Sequence, residues 1–96
     1  MRPYELMYLV QPGVDEERLV AIGERIKAAI TTAGGKIDKL NVVGRRRLAY
    51  AIEHHRDGVY ALVEFQLDPA QTREIDRTVK LQEDILRHLI VRRDVS

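Results

Sequence analysis

The chain has no cysteine and no tryptophan, and its aromatics are limited to four Tyr and one Phe. Without cysteine there is no disulfide, no thiolate metal site and no cysteine nucleophile, which favours a reducing compartment, by default the cytoplasm. Serine occurs once, at Ser96, and glycines are adjacent only at Gly34-Gly35, so no phosphate-cradling loop of Walker or Rossmann type is present. No apolar run approaches the roughly 20 residues that span a bilayer, and Glu5 interrupts any signal-peptide core near the start. An excess of one charge is also missing. Sixteen basic and fifteen acidic residues leave a net charge of +1, unlike a strongly basic nucleic-acid domain. Contact with a polyanion must come from local clustering and be modest or shared with a partner.

What is present suits one ordinary globular domain over residues 1–96, with 45% apolar and 32% charged residues. Tyr4, Leu6, Tyr8 and Val10 alternate with Glu5, Met7 and Leu9, which predicts a central strand covered at least partly on both faces. Gln11-Pro12-Gly13 reads as a turn and Asp15 as an N-cap, with Glu16 and Glu17 against the positive end of the helix dipole. Leu19, Ile22, Ile26, Ala29, Ile30 and Ala33 form one helical stripe, which Gly34-Gly35 ends.

Lys36 to Ile52 is an unusually long extended stretch. Ile37 is odd-numbered, whereas Leu40, Val42, Leu48, Tyr50 and Ile52 are even, so the apolar phase slips and predicts a bulge between 37 and 40. Gly44 marks a second bend. Residues 53–58 read as a polar connection with Asp57-Gly58 as its turn. Ala61, Val63, Phe65 and Leu67 alternate in the next strand. Asp68-Pro69 then opens a short helix with a thin stripe of Thr72, Ile75 and Val79, and Ile85 to Val91 is the last strand. The last few residues read as a short flexible tail.

Strand, helix, strand, strand, helix, strand with right-handed crossovers gives an α+β, ferredoxin-like βαββαβ split sandwich. Its four-stranded antiparallel sheet carries both helices on one face. Met7, Leu9, Tyr60 and Leu62 then point away from the helices, and an open apolar face of that kind usually meets a partner.

Within Gly44-Arg45-Arg46-Arg47-Leu48-Ala49-Tyr50-Ala51-Ile52, three arginines and a tyrosine lie on extended chain. Guanidinium groups fork onto phosphates, and they and the ring can stack on bases. The same charges also suit a solvated edge strand kept from aggregating, and chemistry alone leaves both readings open. The segment resembles the signature of the bacterial small-subunit ribosomal protein six family: a glycine, basic residues, then Leu-Ala-Tyr-x-Ile. Met1-Arg2-x-Tyr4-Glu5 and Asp84-Ile85-Leu86-Arg87-His88-Leu89-Ile90-Val91 are also similar to that family, so the likeness spans the chain. It implies the same ferredoxin-like plan and a structural, non-enzymatic role in the small ribosomal subunit. It further implies binding to the central (platform) domain of small-subunit ribosomal RNA as a heterodimer with ribosomal protein eighteen. Carried over by motif, the RNA- or partner-binding residues are Arg2, Tyr4, Glu5, Arg45, Arg46, Arg47, Tyr50 and Arg87. No cofactor, metal, membrane or small-molecule substrate is implied. Ala51 stands where members often have proline, and Glu53 where they often have a basic or small residue. The long acidic tail of some members, and its glutamate extension, are not expected here.

Three further readings are weaker. His54-His55 is a solvated turn sooner than a metal site, since zinc needs more ligands and an oriented second shell; His88 reads as a strand-packing residue. Glu16-Glu17 and Glu83-Asp84 are exposed pairs without a pocket, and an acylphosphatase-like enzyme on this plan lacks its glycine-rich arginine loop. An RNA-recognition-motif module for single strands is the alternative, echoed by Tyr60-Ala61-Leu62-Val63-Glu64-Phe65. Leu62, however, stands where base stacking needs an aromatic ring.

Overall fold

The alternating segment at the start of the chain becomes the strand around which the rest is arranged. A computed structural model describes residues 1–94; residues 95 and 96 of the expected tail lie outside the described residues. The elements are β1 (Arg2–Val10), α1 (Glu16–Thr32), β2 (Lys36–Ile52), β3 (His55–Leu67), α2 (Thr72–Lys80) and β4 (Ile85–Arg92), with a 3-10 turn at Pro69–Gln71. The sheet order is β2-β3-β1-β4 and every neighbouring pair is antiparallel. This is the expected ferredoxin-like arrangement.

Side-chain alternation decides what is buried. Tyr4, Leu6, Tyr8 and Val10 of β1, with Val59, Ala61, Val63, Phe65 and Leu67 of β3, pack against Ile22, Ile26 and Ile30 of α1 and Ile75 and Val79 of α2. The helix boundaries follow from their caps. The Asp15 carboxylate accepts from the Arg18 N–H at 2.8 Å. At the other end Gly34, at φ 87°, sends its N–H to Thr31 O while Gly35 bonds back to Ile30 O at 2.8 Å, a Schellman closure. Asp68 caps the turn before α2 by accepting from Ala70 N–H at 3.0 Å.

β2 carries the predicted irregularities. Its register against β3 shifts between Ile37 and Lys39 and again between Val42 and Gly44, where φ is 118°. The expected turn is displaced, however. Ile52 pairs with His55, so the reversal is made by Glu53 and His54, both left-handed at φ 46° and 70°. Two positive φ values suit a type I′ hairpin turn. Asp57 and Gly58 lie instead within β3, opposite Arg47 and Arg46. Gly58 meets a packing need: a Cβ there would come within 2.5 Å of Leu9 Cδ1.

Candidate functional site

Residues of β1 that alternate with the core set define the other face of the sheet. Met7 is paired with Leu62 and Leu89, and Leu9 with Tyr60 and Arg87, so these side chains share the helix-free face. Met7 is 39% and Leu89 59% exposed, with Val43 and Val91 also open. Leu9 was expected to be part of this open area, but it is only 2% exposed, because Gly58 lets the β2–β3 hairpin close over it. Two shallow depressions share Met7 and Tyr60. One is completed by Val43, Arg46 and Leu62, the other by Leu9, Arg87, His88 and Leu89.

Both ends of this face are bridged by arginine. At one end the hairpin runs past β1, whose last residue, Val10, is opposite Val59. It arches back over the sheet until Arg87 Nη1 donates to the Tyr50 hydroxyl at 2.7 Å, with the guanidinium carbon 5.6 Å from the ring centre. At the other end Arg93 reaches across three strands. Its backbone N–H bonds Pro3 O at 2.9 Å, its Nε donates to Tyr4 O at 3.0 Å, and its Nη2 meets Asp38 at 2.7 Å. Its Nη1 lies 3.4 Å from Glu64. Glu64 is directly opposite Glu5, a like-charge pair that is unfavourable across a sheet and that Arg93 offsets. Hydrogen bonds from Gln66 and Arg93 hold the Asp38 carboxyl below its ordinary value.

The residues singled out from the sequence therefore sort into groups. Glu5, Arg46, Tyr50 and Arg87 gather on or around the open face. Arg47 is exposed within the hairpin. Arg45 is engaged elsewhere, bonding Pro12 O at 3.2 Å and lying 3.4 Å from Asp57. Arg2 is opposite Leu67 and so keeps the register of the helix-covered side, at its exposed end. Tyr4 is a core residue: it is buried on that same side and its ring stacks on Phe65 at 5.7 Å. Its alternation with Leu6 and Tyr8 already placed it there, and only the motif drew it toward the surface set.

Sequence reasoning missed Arg93, Asp38 and Glu64, which no local pattern links. It also missed Leu89, although the alternation that turns His88 inward turns Leu89 out. His88 packs beneath α2 as expected, its Nε2 2.6 Å from Asp76 Oδ1, and with Lys80 it holds that carboxyl below its ordinary value. Among the described residues no cluster of three or more His, Cys, Asp or Glu is placed to hold a metal. No helix is long and apolar enough to cross a membrane.

The open face thus sets exposed apolar side chains beside arginines. Comparison with known proteins is consistent with that character. The family model described as Ribosomal protein S6 matches residues 3–92. The small ribosomal subunit protein bS6 of Desulforamulus reducens is 42% identical over 92 residues, covering 96% of this chain and 97% of that protein. Its counterpart from Paenarthrobacter aurescens is 45% identical, covering 96% and 91%. Among solved structures, the 30S ribosomal protein S6 of Thermotoga maritima superposes with a TM-score of 0.91 at 33% identity, covering 96% of this chain and 87% of that one. The C-terminal domain of MgtC from Mycobacterium tuberculosis, at a TM-score of 0.69 and 10% identity, shares the fold alone.

Proposed function

Because the chain belongs to the ribosomal protein S6 family, we propose that it binds the central (platform) domain of small-subunit ribosomal RNA as a heterodimer with ribosomal protein eighteen. The family makes it a structural, non-enzymatic component of the small ribosomal subunit and hence of the cytoplasmic ribosome. One observation carries the finer reading: the open face sets exposed Met7 and Leu89 between Arg46 and Arg87. An exposed apolar patch on the face that the helices leave uncovered suits a protein partner. Guanidinium groups at its border suit phosphates arriving beside that partner.

The charge balance explains why the two must act together. With Arg45 held by Asp57 and Pro12, Arg46 and Arg47 are the two arginines of the 45–47 run left for phosphates. Two neutralised phosphates give a salt slope of about −1.4 to −1.8. A fourfold rise in salt then costs roughly 7- to 12-fold in affinity, a contribution too small to anchor the chain alone.

The test is RNA binding by this chain with and without purified ribosomal protein eighteen, using the central-domain fragment of small-subunit ribosomal RNA. Tight, salt-sensitive binding by the mixture only, weakened by Arg46→Glu without loss of folding, is the expected result. Tight binding to single strands by this chain alone would replace the reading with a recognition-motif function. The open face argues against that alternative, since Leu62 and Met7 stand beside Tyr60 where stacking would need further rings.

A further inference from the structure

Gly23 lies in the interior of α1, where glycine weakens a helix relative to alanine. Nothing in the fold requires it. A Cβ at this position would meet Leu40 Cδ1 at 3.4 Å and the Tyr8 hydroxyl at 3.7 Å, ordinary contacts. What the glycine does is leave a notch in the helix surface directly above Tyr8. The Tyr8 side chain is 2% exposed, and its hydroxyl has no hydrogen-bond partner among the described residues. No buried side-chain polar atom there is both unpaired and sealed from solvent, so the hydroxyl keeps slight solvent contact, and a Cβ on Gly23 would stand 3.7 Å from it. Burial alone pushes this phenol up to about 12, so it stays neutral and can both donate and accept.

The notch opens into a groove of about 380 Å³ between α1 and β2. Its walls are apolar: Leu19 and Leu40 below, with Val20 63% and Val42 46% exposed above. Its rim is acidic, bearing Glu16 and Glu24, while its single lysine, Lys27, lies 3.5 Å from Glu24. This acidity stands out on a chain of net charge +1. β2 is an edge strand, but its register shifts at Ile37/Lys39 and Val42/Gly44 leave only a short regular ladder. A guest must therefore be held through side chains and not by adding a strand.

We propose that this groove is a second docking site, for a short amphipathic segment of another protein whose apolar side chain is flanked by lysine or arginine. The apolar side chain fills the space over Gly23, a polar group of the guest bonds the Tyr8 hydroxyl, and the basic residues meet Glu16 and Glu24. The site is on a different surface from the open sheet face, so it stands whether or not the proposed ribosomal partnership does.

The test uses the full chain, isotope-labelled, titrated with a blocked Lys-Leu-Ala-Lys repeat peptide and a Glu-Leu-Ala-Glu control. The expected result is saturable, salt-sensitive, sub-millimolar binding of the basic peptide, with amide shifts centred on Val20, Gly23 and Val42. Gly23→Ala, which keeps the fold and fills the notch, should weaken binding about tenfold. Tyr8→Phe, which removes only the hydroxyl, should weaken it about 2- to 10-fold. Shifts confined to Met7, Leu62 and Leu89, equal binding of the acidic peptide, indifference to both variants, or no binding would each overturn the proposal. So would the same shifts appearing with protein concentration alone, which would give the groove to a second copy of the chain.

Discussion

Leu6 and Leu89 are the same residue type one strand apart, yet Leu6 is sealed between sheet and helices while Leu89 stands in solvent. Both faces of this sheet carry large apolar residues, although the open one also bears Glu5, Glu64 and Arg87, so the presence of leucine alone does not tell them apart. What separates them is the phase of alternation and the helices, whose stripes match the even-numbered side of β1. The open face carries hydrophobic residues left exposed by the fold, the feature on which the proposed partner docking rests.

The strongest way to break that comparison is to truncate both leucines. Leu6→Ala should cost about 2–5 kcal/mol, because a cavity opens in a packed core. Leu89→Ala should stay within about 0.5 kcal/mol for the isolated chain while weakening the complex with the partner protein. Urea denaturation of the two variants measures the difference, and equal losses would mean that the open face belongs to the core. The next largest effect sharpens the boundary between the faces. Gly58→Ala should destabilise by about 1–3 kcal/mol, since its Cβ would press into Leu9 Cδ1. Thermal melts and the protection of the Tyr50–Arg87 contact would report whether the hairpin lifts off the sheet.

The smallest effect is acid sensitivity. The carboxyls of Asp38, on the open-face side, and Asp76, on α2 over His88, are both held below their ordinary value by hydrogen bonds. Each therefore binds fewer protons folded than unfolded near pH 3–4, so stability rises with pH there. That contribution is complete above the unfolded carboxylate value near 3.9 and is lost as pH falls through the lower folded values. Asp38→Asn and Asp76→Asn should each flatten the stability profile below about pH 4 and leave its slope above pH 5 unchanged. An unaltered acid limb in both would show that these pairs are not held in solution.

Much of this architecture is legible in local pattern. The phase slip after Ile37 announced a bulge, and Asp15 and Gly34 announced the ends of α1. The hairpin turn was not legible, for a physical reason. Asp57-Gly58 is the better turn sequence in isolation, but the ladder from Arg45 to Arg47 opposite Val59 to Asp57 extends the strands past it. Gly58 is then used for close approach to Leu9. The candidate site divides in the same way. Arg46, Tyr50 and Arg87 are recognisable as residue types suited to RNA or protein contact. That Tyr50 and Arg87 meet across 37 positions, and that Arg93 reaches Asp38 across 55, depends on how the sheet is threaded.

That threading bears on the birth of the molecule. β1 is made first but lies between β3 and β4, so both of its ladders wait for segments that leave the exit tunnel later. Its last fastening, from Arg93 to Tyr4 O, joins residues 89 positions apart. A growing chain can form α1 and the β2–β3 hairpin while it is still being synthesised, because those contacts are local. The four-stranded sheet is complete only when β4 has joined β1. Until β4 pairs with β1 the open face lacks Arg87 and Leu89, so that surface is complete only once Ile85–Arg92 has joined the sheet.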